Sequence, residues 1–318
     1  MNKEIARFYA DGLVTVFANS NNGSLFHYTE FDNAFYSILK NGFRFSYNFE
    51  EHSESVAKCL DKATVKYPHI IGAPKIQYGM AVPMICFCDI PIARASNHRQ
   101  TYGSYCVGLD KEKCREVLPA LNPILYTSSS WIELVFERLV DFLPTKEEDF
   151  FHDTQIKKIT AEAENPIQGA GLIKKAEEDG TLSNNIKYDS RFKSAIIELL
   201  SIMKPYENNG NCYYNEHVWR IFFTPAGSTK GGLTKEEFEK EKDNWNRELW
   251  ENSEYGYITF DNPQDIITHL IVPDDKDIHP LVVMIRESES IFGKPLSDEQ
   301  RSLLISKITS FERIACDI

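Results

Sequence analysis

One histidine stands where the sequence changes from a strand pattern to a helix pattern. His27 lies in the strand-like residues 24–29, which run into helical spacing over residues 30–40. Thr29 and Asp32 have the spacing of a capping box at the start of this helix, and Gly42 is typical of a residue that ends one. Backbone N–H groups at a helix start can hold an anionic ligand. His27 is therefore predicted to lie at a turn suited to ligand binding.

Two tyrosines and a glutamate are the further candidates for chemistry. Tyr102 and Tyr105 flank a glycine that leads into a strand pattern, and Glu216 precedes another strand. A histidine, an aromatic platform and a glutamate are the residue types that bind a nicotinamide ribose, stack on its ring and stabilise an oxocarbenium-like transition state. The alternative is structural: His27 caps a turn, the tyrosines pack, and Glu216 pairs with Arg220.

Composition and absent motifs exclude several classes of protein. The chain has 318 residues, 42% of them hydrophobic, a net charge of −12 and seven scattered cysteines without a C-x-x-C pair. This composition predicts reduced thiols and disfavours direct nucleic-acid binding, which draws on Lys and Arg. No leader-like segment or long apolar run is present, so we expect a cytoplasmic protein without membrane contact. The sequence contains no P-loop, G-x-G-x-x-G, G-x-S-x-G or H-E-x-x-H motif, and no metal site is predicted.

Strand and helix patterns mix without regular alternation along the chain, which favours an α+β fold with a mixed sheet core and flanking helices. We predict a single α+β domain over residues 1–318, with a charged insertion at about residues 144–190. Residues 46–79 are predicted to be a long loop that covers a site or elaborates the surface. Helices are expected at residues 131–143, 192–204, 235–251 and 297–311, and strands at 84–91, 102–109, 122–126, 218–223, 266–273 and 281–285.

Several strings in combination resemble the AbiGi family of bacterial abortive-infection, or phage-resistance, proteins. The resemblance spans roughly residues 24–285. The strings are Leu25-Phe26-His27-Tyr28-Thr29, Ile38-Leu39-Lys40-Asn41-Gly42-Phe43, Cys86-Phe87-Cys88-Asp89-Ile90-Pro91, Tyr102-Gly103-Ser104-Tyr105, Gly108-Leu109, Asn122-Pro123-Ile124-Leu125-Tyr126, and Glu216 with Trp219-Arg220. The resemblance implies a role in phage defence, in which AbiGi is the antitoxin of a nucleotidyltransferase-like toxin called AbiGii. The expected partner is thus that toxin or a phage component.

The His-Tyr-Thr turn alone also resembles the first NAD-contacting motif of ADP-ribosyltransferases. That resemblance implies NAD as substrate, an ADP-ribosyltransferase-like fold, and a site in which His27, Tyr28 and Thr29 contact the cofactor. Tyr102 or Tyr105 would stack on nicotinamide, and His27 and Glu216 would be catalytic. Two hypotheses therefore stand together: an NAD-dependent ADP-ribosyltransferase-like effector, and a non-catalytic antitoxin that neutralises a toxin by binding.

Overall fold

The structure is a computed structural model. It describes residues 23–52, 56–58, 79–127, 135, 159, 161, 166–179, 202–205, 207–208, 211–222, 230–231, 234–251 and 257–316. The strands are β1 Ser24–Thr29, β2 Ser46–Glu51, β3 Gly79–Cys88, β4 Tyr105–Asp110, β5 Asn122–Pro123, β6 Leu125–Thr127, β7 Met203–Pro205, β8 Glu207–Asn208, β9 Asn211–Cys212, β10 Val218–Phe222, β11 Lys230–Gly231, β12 Ile267–Val272 and β13 Ile308–Ser310. The helices are α1 Asp32–Asn41, α2 Ser96–Tyr102, α3 Lys111–Val117, α4 Pro166–Glu178, α5 Lys235–Glu251, α6 Pro263–Ile266, α7 Ile278–Glu287, α8 Asp298–Ile305 and α9 Phe311–Cys316. Short 3₁₀ turns cover Ile92–Arg94, Tyr213–Glu216 and Asp275–Asp277.

A mixed sheet forms the centre of the described fold. Its strand order is β13-β12-β4-β1-β3-β10-β5, and β2 and β11 also pair with β3. The pairing is antiparallel except between β12 and β13, which run parallel. The predicted α+β class with a mixed sheet and flanking helices is confirmed.

Alternation along the strands gives this sheet two different faces. The front face carries Leu25, Phe87 and Val107, and helices α1, α7 and α8 cover it to make the main core. The back face carries Phe26 and Cys106, which pack in a smaller cluster with α9. Because paired residues of neighbouring strands share a face, the register assigns every side chain of β1, β3, β4 and β10 to one of the two.

The sheet forks along β3. The first part of β3 pairs with β2 from Gly79 to Met84, whereas β1 pairs with β3 only at Cys88. Residues 85–87 of β3 therefore lie between the ends of two different partners on that side. Helix α5 packs over the β2 side of the fork, where Tyr47 and Phe238 share a separate small core.

Several sequence-based predictions are confirmed at the level of single elements. Helix α5 covers residues 235–251 and β12 covers 267–272, as expected. Gly42 follows α1 with φ of 102°, a conformation that favours glycine. Ser297 and Gln300 form the predicted capping box of α8. Strong periodicity and specific capping chemistry were sufficient for these elements.

Other predictions were wrong. Residues 46–51 form strand β2 instead of a loop, and residues 281–285 lie in helix α7 instead of a strand. The last predicted helix ends at residue 305 and is followed by β13 and the separate helix α9. Thr29 does not cap α1, whose N-cap residue is Phe31 without a side-chain hydrogen bond. Tyr102 ends helix α2, so that the following strand begins only at Tyr105.

Some predicted segments cannot be compared with the structure. The helix predicted at 131–143 lies outside the described residues apart from residue 135. Residues 192–201 of the helix predicted at 192–204 also lie outside them. Residues 203–204 of that second predicted helix belong to β7. Within the predicted insertion at 144–190 the described part is mainly α4. The single-domain organisation stays a prediction.

Candidate functional site

A buried ion pair lies at the centre of the candidate site. Arg220 is fully buried in β10, where it pairs with Cys86 and so lies on the back face. Its Nη2 donates a 2.7 Å hydrogen bond to Oε1 of Glu50, which is 9% exposed on β2. Burying two charges costs several kcal/mol per ion, roughly, so such a pair is weak evidence of stability and marks a candidate functional site.

A second ion pair lies beside the first and reaches the surface. Lys204 of β7 donates from Nζ to Oε2 of Glu216 over 3.1 Å, and their side chains are 15% and 19% exposed. The hydroxyl of Tyr102 donates to the other oxygen of Glu216 at 3.3 Å. Tyr126, opposite Lys204 in the short β6–β7 ladder, accepts the N–H of Val218 at 2.9 Å. We call Glu50, Lys204, Glu216 and Arg220 the polar cluster.

The polar cluster keeps its cations charged. Burial opposes the charge on Lys204, but the Glu50 and Glu216 carboxylates outweigh it and hold the pKa of Lys204 above its usual value. Burial also opposes the charge on Arg220, but the Glu50 carboxylate outweighs it, and the pKa of Arg220 is raised as well. Burial raises the pKa of Tyr126 to about 12. Two cations and two carboxylates therefore compensate each other inside a poorly solvated region.

Aromatic rings connect the polar cluster to the back of β1. The His98 ring lies 5.1 Å from the Tyr102 ring and 5.8 Å from the Tyr28 ring, measured between centroids. Burial lowers the pKa of His98, although Glu216 acts in the opposite direction. The Tyr28 ring stacks on Phe311. Tyr102, Glu216 and, through His98, Tyr28 thus lie along one side of the sheet.

His27 lies on the other side. It pairs with Val107 on the front face, and its ring packs edge-on against Phe43 and Phe87 at centroid distances of 5.2 and 5.8 Å. Its Nδ1 lies 2.8 Å from the carbonyl oxygen of Cys86, and burial lowers the pKa of the ring. With a neutral ring that carries its proton on Nδ1, His27 donates to a carbonyl at the fork where β1 leaves β3.

The remaining predicted cofactor contacts, Thr29 and Tyr105, also belong to the front face. They pair with each other at the end of β1 and the start of β4, and the Tyr105 ring packs 5.3 Å from Phe35 of α1. Of the two candidate tyrosines, Tyr102 is therefore the one that meets Glu216. The alternative pairing of Glu216 with Arg220 is wrong, because Glu216 pairs with Lys204.

A family model titled abortive phage resistance protein AbiGi, antitoxin, matches residues 74–266, which is more than half of the chain. The chain belongs to the AbiGi family. Comparisons of this AbiGi protein with curated proteins and with solved structures gave no match. The predicted resemblance and the place in phage defence are thereby confirmed. The matched residues include Tyr102, Lys204, Glu216 and Arg220, whereas His27 and Glu50 precede them.

The sequence contained partial signals for the polar cluster of this AbiGi protein. Arg220 interrupts an apolar strand pattern, which marks a buried charge in need of a partner. Glu50 occupies one position of the alternating strand β2, for which the sequence predicted a loop. Lys204 carries no local signal, because its position depends on the pairing of β6 with β7, which places it opposite Tyr126, and the Tyr126 hydroxyl accepts the N–H of Val218, two residues after Glu216. Long-range pairing, which spacing does not encode, assembles the site.

Two further properties of the described residues concern metal binding and membrane crossing. Among them, no group of three or more His, Cys, Asp and Glu side chains is arranged to hold a metal ion. The described helices also include none that is long and apolar enough to cross a membrane.

Proposed function

We propose that this AbiGi protein acts in the cytoplasm as an antitoxin that neutralises a partner toxin by direct contact and not by catalysis. The family title supports the antitoxin role. The net charge of −12 suits an acidic protein that covers a basic partner surface. The observation that carries the proposal is the placement of His27 and Glu216 on opposite faces of the sheet.

The state of each side chain supports the same conclusion. Both carboxylate oxygens of Glu216 accept hydrogen bonds within the protein, from Lys204 and from Tyr102. His27 is enclosed by two phenylalanine rings and directed at the Cys86 carbonyl. Transferase chemistry would need the two groups on one cleft, at opposite ends of the same bound ribose.

Neutralisation of toxicity tests this proposal. The product of the neighbouring gene is expressed in bacteria with this protein, with Glu216→Gln or with His27→Gln, and growth is followed. We expect both variants to restore growth as the unchanged protein does, since contact does not require either side chain to react. Circular dichroism confirms that each variant is folded. If the folded variants of both residues fail to neutralise the toxin, catalysis replaces contact as the explanation.

The second candidate function is NAD-dependent ADP-ribosyl transfer. One observation favours it: the Tyr102 hydroxyl donates to Glu216 beside a 41% exposed ring on which a nicotinamide could stack. Titration with NAD at millimolar concentration, followed by calorimetry and by release of nicotinamide, is the measurement. Binding that Tyr102→Ala and Glu216→Gln abolish would favour this function over contact, and no heat and no nicotinamide would remove it.

A further inference from the structure

One end of the sheet gathers chain segments that lie far apart in the sequence. β1 ends and β4 begins at the paired residues Thr29 and Tyr105. β12 ends at the same level, because its Ile271 pairs with Cys106 of β4. The chain continues from β1 into helix α1 and from β12 into the 3₁₀ turn Asp275–Asp277. The start of α1 and this turn therefore lie together beside the first residue of β4.

Two tyrosine rings form the centre of this end. Tyr36 and Tyr105 are both half-buried, and each packs against the buried Phe35, at ring-centroid distances of 5.8 and 5.3 Å. Asp32 and Asp277 act on both rings: the pKa of each phenol is raised, first by burial and then by these carboxylates. Both tyrosine side chains are thus partly open to solvent next to two negative charges.

Two cations of the described residues near this end, Lys276 and Arg313, form their salt bridges with other carboxylates, and Lys276 also interacts with Asp277 at longer range. Lys276 lies 3.1 Å from Asp274, and Nε of Arg313 lies 2.8 Å from Asp275. No salt bridge between described residues reaches Asp32 or Asp277. Among the described residues, Asp32 and Asp277 accept hydrogen bonds only from backbone N–H groups, those of Asn33 and Asp274 respectively.

A large apolar side chain adjoins these charges. Phe31, which precedes Asp32 in the chain, is 61% exposed, more than any other large hydrophobic residue among those described. We call Phe31, Asp32, Tyr36, Tyr105 and Asp277 the acidic tyrosine surface. Partly exposed aromatic rings next to carboxylates without a salt bridge are a combination that can take an Arg or Lys side chain.

We propose that the acidic tyrosine surface docks a basic segment of the partner toxin, with an Arg or Lys side chain held over the tyrosine rings and between the two carboxylates. This inference rests on the proposed antitoxin function and names the surface that performs it. The carboxylates repel phosphate, so a nucleic acid does not fit here. Unlike the carboxylates of the polar cluster, Asp32 and Asp277 form no salt bridge with a described residue, so a cation of a partner can take that place.

Charge reversal with a matched control tests the inference. The purified product of the neighbouring gene is titrated with the unchanged protein, with Asp32→Lys/Asp277→Lys, and with Glu236→Lys/Glu239→Lys. The control pair lies on exposed positions of α5 and changes the net charge equally. We expect the first variant to weaken binding at least tenfold, to slow association and to reduce its dependence on salt, and the control to change affinity less than threefold.

The outcomes separate the two proposals. If both charge reversals weaken binding equally, or neither does, the assigned surface is wrong while the antitoxin function stands. If the unchanged protein does not bind the toxin, the antitoxin function falls and this inference falls with it. Asp32→Asn/Asp277→Asn serves as a second variant that preserves shape, and we expect a smaller loss of affinity in the same direction. Unchanged affinity in that folded variant contradicts the inference.

Discussion

Replacement of Arg220 by methionine removes the cation from a carboxylate that is 9% exposed. The pair is joined by a 2.7 Å hydrogen bond, and Arg220 itself has no exposed surface. Removal of one partner of such a pair typically destabilises a protein by about 3–5 kcal/mol, because the other charge stays buried. Lys204, which also interacts with Glu50, compensates part of this charge. We therefore expect a loss near the lower bound, about 3 kcal/mol.

The double variant is predicted to recover part of the loss. In Arg220→Met/Glu50→Gln a neutral glutamine replaces the carboxylate that Arg220 compensated, and methionine fills much of the arginine volume. We expect the double variant to be more stable than Arg220→Met alone by about 1–2 kcal/mol, which means that the two effects are not additive. A buried charge, and not a lost packing contact, would then account for most of the cost.

Urea unfolding followed by circular dichroism measures these differences. With a slope of about 3 kcal/mol per molar urea, a loss of about 3 kcal/mol lowers the midpoint by about 1 M. The control is Lys240→Met/Glu236→Gln on α5, a pair with side chains 67% and 80% exposed, for which we expect a change within about 0.5 kcal/mol. An Arg220→Met midpoint that moves no more than this control would refute the reasoning, as would strictly additive losses in the double variant.

Two further predictions concern protonation and backbone shape. Burial lowers the pKa of His27 below 6.5, so at low pH the unfolded chain binds more protons than the folded protein, and stability is lost as the pH falls through 6.5. The free energy of unfolding in urea should therefore be lower at pH 5.5 than at pH 7.5, and we expect this drop to be smaller by about 1 kcal/mol in His27→Gln. An equal drop in that variant would contradict a buried neutral ring. Gly103 has φ of 102°, and an added Cβ would lie 2.3 Å from the carbonyl oxygen of Thr29, so Gly103→Ala should lower the thermal midpoint by several degrees. Gly171→Ala is the control, because its Cβ would meet nothing within 4 Å in helix α4, and we expect no loss there.

Local signals predicted the elements of this protein better than its site. The glycine after α1, the capping box at Ser297 and the helical spacing of α5 each depend on neighbours in the sequence, and each was predicted correctly. The five-residue apolar run at 281–285 fits a strand or a buried helix turn equally well, and the structure makes it a helix. For a short apolar run, only its contacts with the rest of the fold decide between a strand and a helix.

The site depends on pairings between distant segments. The sequence pointed to Glu216 and Tyr102, which do meet, but it could not tell Tyr102 from Tyr105. The two tyrosines differ because one ends a helix on the back side and the other begins a strand on the front side. His27 was predicted from its turn alone, and strand alternation then turned it away from Glu216. A shift of one residue in β1 would have reversed that outcome.

The fork in the sheet has a consequence for how the molecule can move. Strand β3 is the only described strand that pairs with both β1 and β2, and the β2 side has its own small core under α5. Opening of that side would break the β2–β3 ladder and the Glu50–Arg220 ion pair, but no described buried residue of the main core belongs to β2 or α5, so local unfolding of these two elements can precede global unfolding. The His27 hydrogen bond to Cys86 is located where such an opening would stop. By joining β1 to β3 at the branching point of the sheet, His27 adds a contact that can hold β1 and β3 together while β2 and α5 unfold locally.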